Sequence, residues 1–254
     1  MQDFLLTHKT ILITGASSGI GKAAAILASQ MGANVVIHGR DINKLNDTLS
    51  QLNPTGNHLL LQADLTKQEE ITNLIKQCPK LDGIVHCAGI VKPVPAKFIQ
   101  QKHIDEMFSI NYNAVVLINS GLLQLKKVND KASIVLISTI STQHSYFGGA
   151  LYISSKGALE TYARALGLET VAKGIRVNTL SPAMVHTEIY ENTLKSVLNP
   201  AHADKYADTY PLGIGEPLDV ANSIVFLLSN ASKWITGTVI KMDGGLTLGY
   251  QKIE

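Results

Sequence analysis

Two groups of residues in this sequence have types and spacing suited to chemistry. Tyr152 and Lys156 stand four positions apart in Leu151–Ala172, a stretch whose pattern predicts a helix, so their side chains share one face. A free phenol titrates near pH 10, too high for efficient proton exchange near neutrality. An ammonium beside it favours the phenolate, and moving it by about 3 units takes roughly 4 kcal/mol of differential stabilisation. On its own, Tyr-x-x-x-Lys is a common surface pair. The second group is the run Thr14-Gly15-Ala16-Ser17-Ser18-Gly19-Ile20-Gly21. It follows a strand-like stretch and opens a helical one, where free N–H groups and the helix dipole favour a pyrophosphate. Glycines at 15, 19 and 21 give the tight turn and the close backbone approach that such a ligand needs.

The elements that must position these groups alternate along the chain. Thr10–Thr14, Asn34–His38, His58–Gln62, Gly83–His86, Ser133–Ser138, Arg176–Leu180 and Val239–Met242 read as strands. Most are nearly continuous apolar runs, as parallel strands covered on both faces require. Between them Ile20–Met31, Ile42–Leu52, Gln68–Gln77, Gln101–Leu125, Leu151–Ala172 and Leu218–Leu228 read as helices. Regular βαβ alternation with right-handed crossovers predicts an α/β fold of the Rossmann type, a doubly wound parallel sheet flanked by helices. The 254 residues suit one domain over 1–254, with no linker. The least regular stretch, 186–212, is expected to be a surface excursion or a substrate lid.

Composition narrows the class. Hydrophobic residues make up 45% and charged residues 17%, a globular balance, and the formal charge of +2 gives no case for nucleic acid or an anionic membrane as partner. Uncharged runs such as Ser109–Leu125 are broken by Asn111, Asn113, Asn119 and Ser120, against a membrane span. Cys78 and Cys87 match no zinc pattern and fit a reducing compartment. The eight histidines show no close ligand pairing, so no catalytic metal is expected. The expected setting is the cytoplasm.

The ribose-reading position of a dinucleotide site lies about 20 residues past the glycines, at the end of the second strand. Here it reads Val36-Ile37-His38-Gly39-Arg40, with no acid at the strand end. A guanidinium there can grip a 2′-phosphate through charge-assisted paired hydrogen bonds. The plainer reading is a solvated arginine, and Asp41 could pair with it.

With the glycine spacing GxxxGxG, the order Asp64, Ala88-Gly89, Asn111, Tyr152 with Lys156, Asn178, Pro182, Thr187 and Asp243-Gly244-Gly245 resembles the short-chain dehydrogenase/reductase family over roughly Lys9–Gly245. The general pattern is similar to its 3-oxoacyl-(acyl carrier protein) reductases and to small-carbonyl or sugar reductases. The resemblance implies reversible hydride transfer between a nicotinamide and a carbonyl or secondary alcohol carbon. Tyr152 would handle the proton, with Lys156 lowering its pKa and holding the ribose and Asn111 supporting proton supply. The hydroxyl that holds the substrate oxygen precedes the tyrosine by thirteen positions, which lands on Thr139; Ser138 or Ser141 would serve if the loop path differs. Gly15, Ser17, Ser18, Gly19, Ile20, Gly21, Arg40, Asp64, Leu65, Ala88, Gly89, Pro182, Val185 and Thr187 would join the tyrosine and lysine in holding the cofactor. Gly39 in place of the family's carboxylate, followed by Arg40, resembles the NADP(H)-preferring members, with NAD(H) as the alternative. Asp64 would contact adenine, or else simply cap the helix that follows. His86-Cys87 stands where the family has two asparagines, and Ala183 where it has glycine. A homo-oligomer, dimer or tetramer, is implied.

A cofactor-sensing module without catalysis would keep the glycine loop but has no reason to combine Tyr152, Lys156 and Asn111. A structural subunit of a larger enzyme is a third class of reading.

Overall fold

The computed structural model describes residues 2–188, 190 and 208–249. Seven strands form one parallel sheet: β1 (Thr10–Thr14), β2 (Asn34–Gly39), β3 (Leu59–Gln62), β4 (Leu81–His86), β5 (Val128–Ile137), β6 (Arg176–Pro182) and β7 (Val239–Met242), in the order β3-β2-β1-β4-β5-β6-β7. The order reverses between β1 and β4, and doubly wound sheets open a ligand crevice at the carboxyl ends of the strands at such a point.

Alternate residues along each strand feed two cores. Ile11, Ile13, Val35, Ile37, Val85 and Val135 face α1 (Gly19–Gln30) and α7 (Pro217–Leu228). Leu12, Val36, Ile84, Ile134, Leu136 and Val177 face α3 (Gln68–Gln77), α5 (Ala114–Gln124) and α6 (Ala150–Thr170). Strands apolar on both faces are what the near-continuous runs require. Helix α2 (Ile42–Leu49) follows β2 and ends three residues short of the expected Leu52. No helix among the described residues is long and apolar enough to cross a membrane.

One expected element is divided. Instead of a single helix over Gln101–Leu125, α4 (Gln101–Phe108) and α5 are joined by a π-turn over Ser109–Asn113. The turn coincides with Asn111, whose amide is drawn to the Ile90 backbone beyond β4. Single π-turns inside helices mark places where a side chain is re-aimed. The expected lid is described only in part, since residues 189 and 191–207 lie outside the described residues.

The sheet also buries two histidines. His38 on β2 and His86 on β4 are in register with Thr14 on β1 between them, and are 1% and 2% exposed. His38 Nε2 reaches the Ala63 carbonyl at 3.1 Å and His86 Nε2 the Asn119 Oδ1 at 3.0 Å, while both Nδ1 atoms lack a partner among the described residues. Burial lowers each ring from 6.5 to about 4. The unfolded chain therefore takes up protons first as pH falls. The stability that these neutral rings contribute is complete above pH 6.5 and is lost between 6.5 and about 4. Urea unfolding at pH 7 and pH 5 should show this loss, and His86→Asn should shrink it by about 2 kcal/mol. An unchanged pH dependence in the variant would contradict the assignment.

Candidate active site

The loop between β1 and α1 is shaped by its glycines. Gly15 (φ +69°) and Gly19 (φ +52°) occupy the left-handed region. A Cβ on Gly21 would lie 2.2 Å from the Gly15 carbonyl oxygen, and one on Gly15 would lie 2.7 Å from the Ala88 nitrogen. The turn is thus closed against the end of β4, where the Ala88 N–H also donates to Thr14 Oγ1 at 3.3 Å. These thin backbones make a cradle that fits a pyrophosphate, with Ser17, Ser18 and Ile20 around the start of α1. A cavity of about 520 Å³ opens there, lined among others by Ser17, Ser18, Gly19, Lys22, Lys44 and Thr187.

Thr187 arrives from the far side. Pro182 ends β6, Val185 forms a bridge to Gly215, and Thr187 then places its methyl 3.1 Å from a Cβ built on Gly19. Its hydroxyl donates to the Val185 carbonyl at 3.2 Å and accepts the Tyr190 N–H at 3.2 Å. An exposed ion pair between Lys44 and Glu188, 2.7 Å, joins this segment to α2.

At the end of β2, Gly39 is buried and faces Ser17: an added Cβ would sit 3.2 Å from its Oγ. Arg40 is exposed, and among the described residues it has no ion pair. Asp41 is engaged elsewhere. Its Oδ1 accepts the Asn43 and Lys44 N–H groups and caps α2. Asp64 closes a local turn, accepting the Thr66 N–H at 3.0 Å and hydroxyl at 2.8 Å, and does not cap α3, whose N-cap is Lys67. These hydrogen bonds hold its carboxyl below the ordinary range, with Arg40 adding a smaller pull. Leu65 turns its side chain into the core, 6% exposed, leaving only its backbone for a ligand.

The proton-handling residues meet where α6 crosses the ends of β4 and β5. The buried Lys156 donates through Nζ to the Ile137 carbonyl at 2.8 Å. A Cβ on Gly89 would lie 3.4 Å from that Nζ and 3.2 Å from Asn111 Oδ1, so lysine and asparagine converge on one glycine. Asn111, fully buried, accepts the Ile90 N–H at 2.8 Å and donates to the Ile90 carbonyl at 3.0 Å and Ser155 Oγ at 3.2 Å. Thr139 stands beside Tyr152, and its hydroxyl accepts the Ser141 N–H and donates to Ser141 Oγ, both at 3.3 Å.

Electrostatics bear on the same cluster. Burial pushes the Tyr152 phenol well above its ordinary value, and the nearby Tyr146 phenol adds to this; the Thr139 hydroxyl opposes both. Lys156 is lowered to about 8 by burial, opposed by Cys87. In the chain alone, desolvation dominates the phenol. The Cys87 thiol, pushed up to about 12 by burial, is not a thiolate near neutrality.

Ser138 points away from this cluster. Its Oγ donates to Glu160 Oε1 at 2.6 Å, as expected when successive residues of an extended strand end face opposite ways. Two residues beside the site went unnoticed in the sequence, Glu160 and Tyr146. Glu160 carried a usable signal, a carboxylate four positions after Lys156 and on its face. Tyr146 is brought near by a loop that no periodicity reveals.

Comparison with known proteins places the molecule. A family model described as enoyl-(acyl carrier protein) reductase matches residues 15–247. Together with the parallel sheet, it defines an oxidoreductase of the nicotinamide-dependent class. The chain belongs to the short-chain dehydrogenase/reductase family. A 3-oxoacyl-[acyl-carrier-protein] reductase of Rickettsia felis is 34% identical over 244 residues, covering 96% of this chain and 98% of that protein. A glucose 1-dehydrogenase of Gluconobacter oxydans is 31% identical over 251 residues, covering 94% and 92%. Among solved structures, a glucose/ribitol dehydrogenase-type member from Brucella melitensis superposes with a TM-score of 0.88 at 26% identity, covering 99% of this chain and 100% of that one. A Beutenbergia cavernae structure, 27% identical with a TM-score of 0.86 and covering 97% of this chain and 100% of that one, carries NADP at low occupancy.

Proposed function

We propose that the protein is an NADP(H)-preferring carbonyl reductase or secondary alcohol dehydrogenase, working by a Tyr152–Lys156–Thr139–Asn111 mechanism. The observation that carries this is the convergence of the buried Lys156 Nζ and Asn111 Oδ1 on Gly89, one helical turn from Tyr152 on α6. The glycine loop, Arg40, Gly89, Lys156, Val185 and Thr187 would hold NADPH, which would supply the hydride. In the reducing direction the Tyr152 O–H bond breaks as the substrate O–H bond forms. Thr139 donates a hydrogen bond to the substrate oxygen as negative charge develops on it. Lys156 holds positive charge beside the phenol, and Asn111 fixes the end of β4 against α6 so that the lysine faces the cleft. Small ketones come first for assay: 3-oxoacyl thioesters and sugars, in view of the names of the Rickettsia and Gluconobacter relatives. The same reading takes residues 1–254 as one domain with a lid over 186–212, acting in the cytoplasm as a homo-oligomer.

Preference for NADP(H) over NAD(H) rests on the exposed Arg40, without an ion pair among the described residues, the glycine before it and Ser17 facing that glycine. NADPH should bind more tightly than NADH in fluorescence titrations. Arg40→Ala should remove most of the difference, a loss of about tenfold to a hundredfold in NADPH affinity. Equal curves for the two cofactors on the unmodified protein would refute the preference.

For the chemistry, Tyr152→Phe should abolish turnover with cofactor affinity nearly intact, which separates an enzyme from a sensing module. Thr139→Val should lose about a hundredfold to a thousandfold in kcat, Thr139→Ser should stay active, and Ser138→Ala should fall only modestly. Steady-state rates decide: a dead Ser138→Ala beside a healthy Thr139→Val would reverse the assignment.

A further inference from the structure

Glu160 has no part in the mechanism above, yet it lies one helical turn beyond Lys156 on α6 and touches the segment that carries Thr139. Its Oε1 accepts the Ser138 hydroxyl at 2.6 Å and the Thr142 hydroxyl at 3.0 Å. Thr139 sits between these anchors, with extended backbone (φ −158°, ψ 147°), as the residue that caps the short 3₁₀ turn Ile140–Thr142. The turn itself is local: the Thr142 N–H and hydroxyl reach the Thr139 carbonyl at 3.2 and 3.1 Å, and the Ser141 N–H reaches Thr139 Oγ1. Toward α6, Ser138 Oγ also lies 3.4 Å from the Lys156 carbonyl and Ile140 is buried. The carboxylate adds a side-chain tie that holds both ends of the segment to the helix bearing Tyr152 and Lys156.

We propose that Glu160 is a positioning residue for Thr139: one carboxylate oxygen fastens the hydroxyls on both sides of it to α6 and so fixes where the Thr139 hydroxyl stands beside Tyr152. The inference rests on the reading of Thr139 as the substrate-holding hydroxyl. It explains why Ser138 is held away from the cleft and why a threonine can occupy that position. The Thr139 hydroxyl is held by the Ser141 N–H and hydroxyl, within the segment that the two anchors fasten. Hydrogen bonds to an ionised acceptor are the stronger kind, and a clamp acting through geometry affects the transition state more than ground-state binding.

The test is a double-mutant cycle on the full chain, with kcat, KM and NADPH affinity measured for Glu160→Met, Thr139→Val and the pair. Glu160→Met keeps the side-chain length and removes the acceptor. It should lower kcat about tenfold while KM for the carbonyl and NADPH affinity move less than threefold. Glu160→Gln, which retains an acceptor oxygen, should recover most of that rate. Because Glu160 acts through Thr139, the double variant should be no more than about twofold slower than Thr139→Val alone. A Glu160→Met enzyme with unchanged kcat, or losses that multiply in the double variant, would overturn the proposal and leave the Thr139 mechanism standing. A fully active Thr139→Val enzyme would overturn that mechanism and the clamp with it. NADPH affinity and the urea midpoint identify a variant that has merely failed to fold, and Glu160→Gln then decides: a tenfold loss there, with folding intact, would also refute the clamp as a matter of acceptor geometry.

Discussion

The Lys156 ammonium is 5% exposed, makes its hydrogen bond to a backbone carbonyl, and among the described residues has no carboxylate within ion-pairing distance. Taking an ammonium out of water is costly, and the fall of its pKa to about 8 measures that cost in direction. The surroundings are arranged to tolerate it. The Ile137 carbonyl at the end of β5 faces it, Gly89 leaves room beside it, and Asn111 holds the end of β4 against α6. Each of these depends on the sheet. Strands β4 and β5 are neighbours in register from Gly83↔Ser133 to His86↔Leu136, and that pairing brings Gly89 and Ile137 to the same edge under α6. A fold that slipped this register by one residue would turn the strand side chains to the other face and separate lysine, glycine and carbonyl.

The buried lysine also sets the electrical problem that the site must solve. The chain alone holds both groups neutral-leaning: burial raises Tyr152 and lowers Lys156. The Thr139 hydroxyl opposes the rise, and stabilising the phenolate further takes positive charge brought into the cleft. In this account the mechanism couples proton chemistry to cofactor binding, since the protein by itself keeps the phenol protonated.

The sheet was legible in the sequence because parallel strands covered on both faces carry apolar runs, as in Ile11–Ile13, Val35–Ile37 and Ile84–Val85, whereas β6 buries Arg176, Asn178, Thr179 and Ser181 among its apolar residues. The glycine loop was legible because only glycine fits where a Cβ would meet a backbone atom at 2.2 or 2.7 Å. The spacing of Tyr152, Lys156 and Thr139 needed nothing beyond helix geometry and the family pattern. The π-turn was not legible, because it accompanies a bond between Asn111 and Ile90, 21 positions apart, that local propensity does not encode. The Glu160 clamp was hidden for the same reason: its partners are 18 and 22 positions away on another element. His86 could be seen as a departure from two asparagines, but Asn119, which accepts its Nε2, is supplied by α5. Asp64 and Leu65 show the converse, since their positions fit the family pattern while their side chains have local work, one in a turn with Thr66 and one in the core.

The central claim is that Tyr152 is the proton donor and that bound oxidised cofactor lowers its pKa. The direct measurement is a titration of carbon-13 label at the tyrosine ring carbon bearing the hydroxyl, followed by NMR with and without NADP⁺, using Tyr152→Phe to assign the resonance. The account predicts that the Tyr152 signal stays protonated beyond pH 10 in the protein alone and shifts by about 2 units or more toward neutrality when NADP⁺ is added. A Tyr152 resonance that titrates at the same pH in both samples would contradict it.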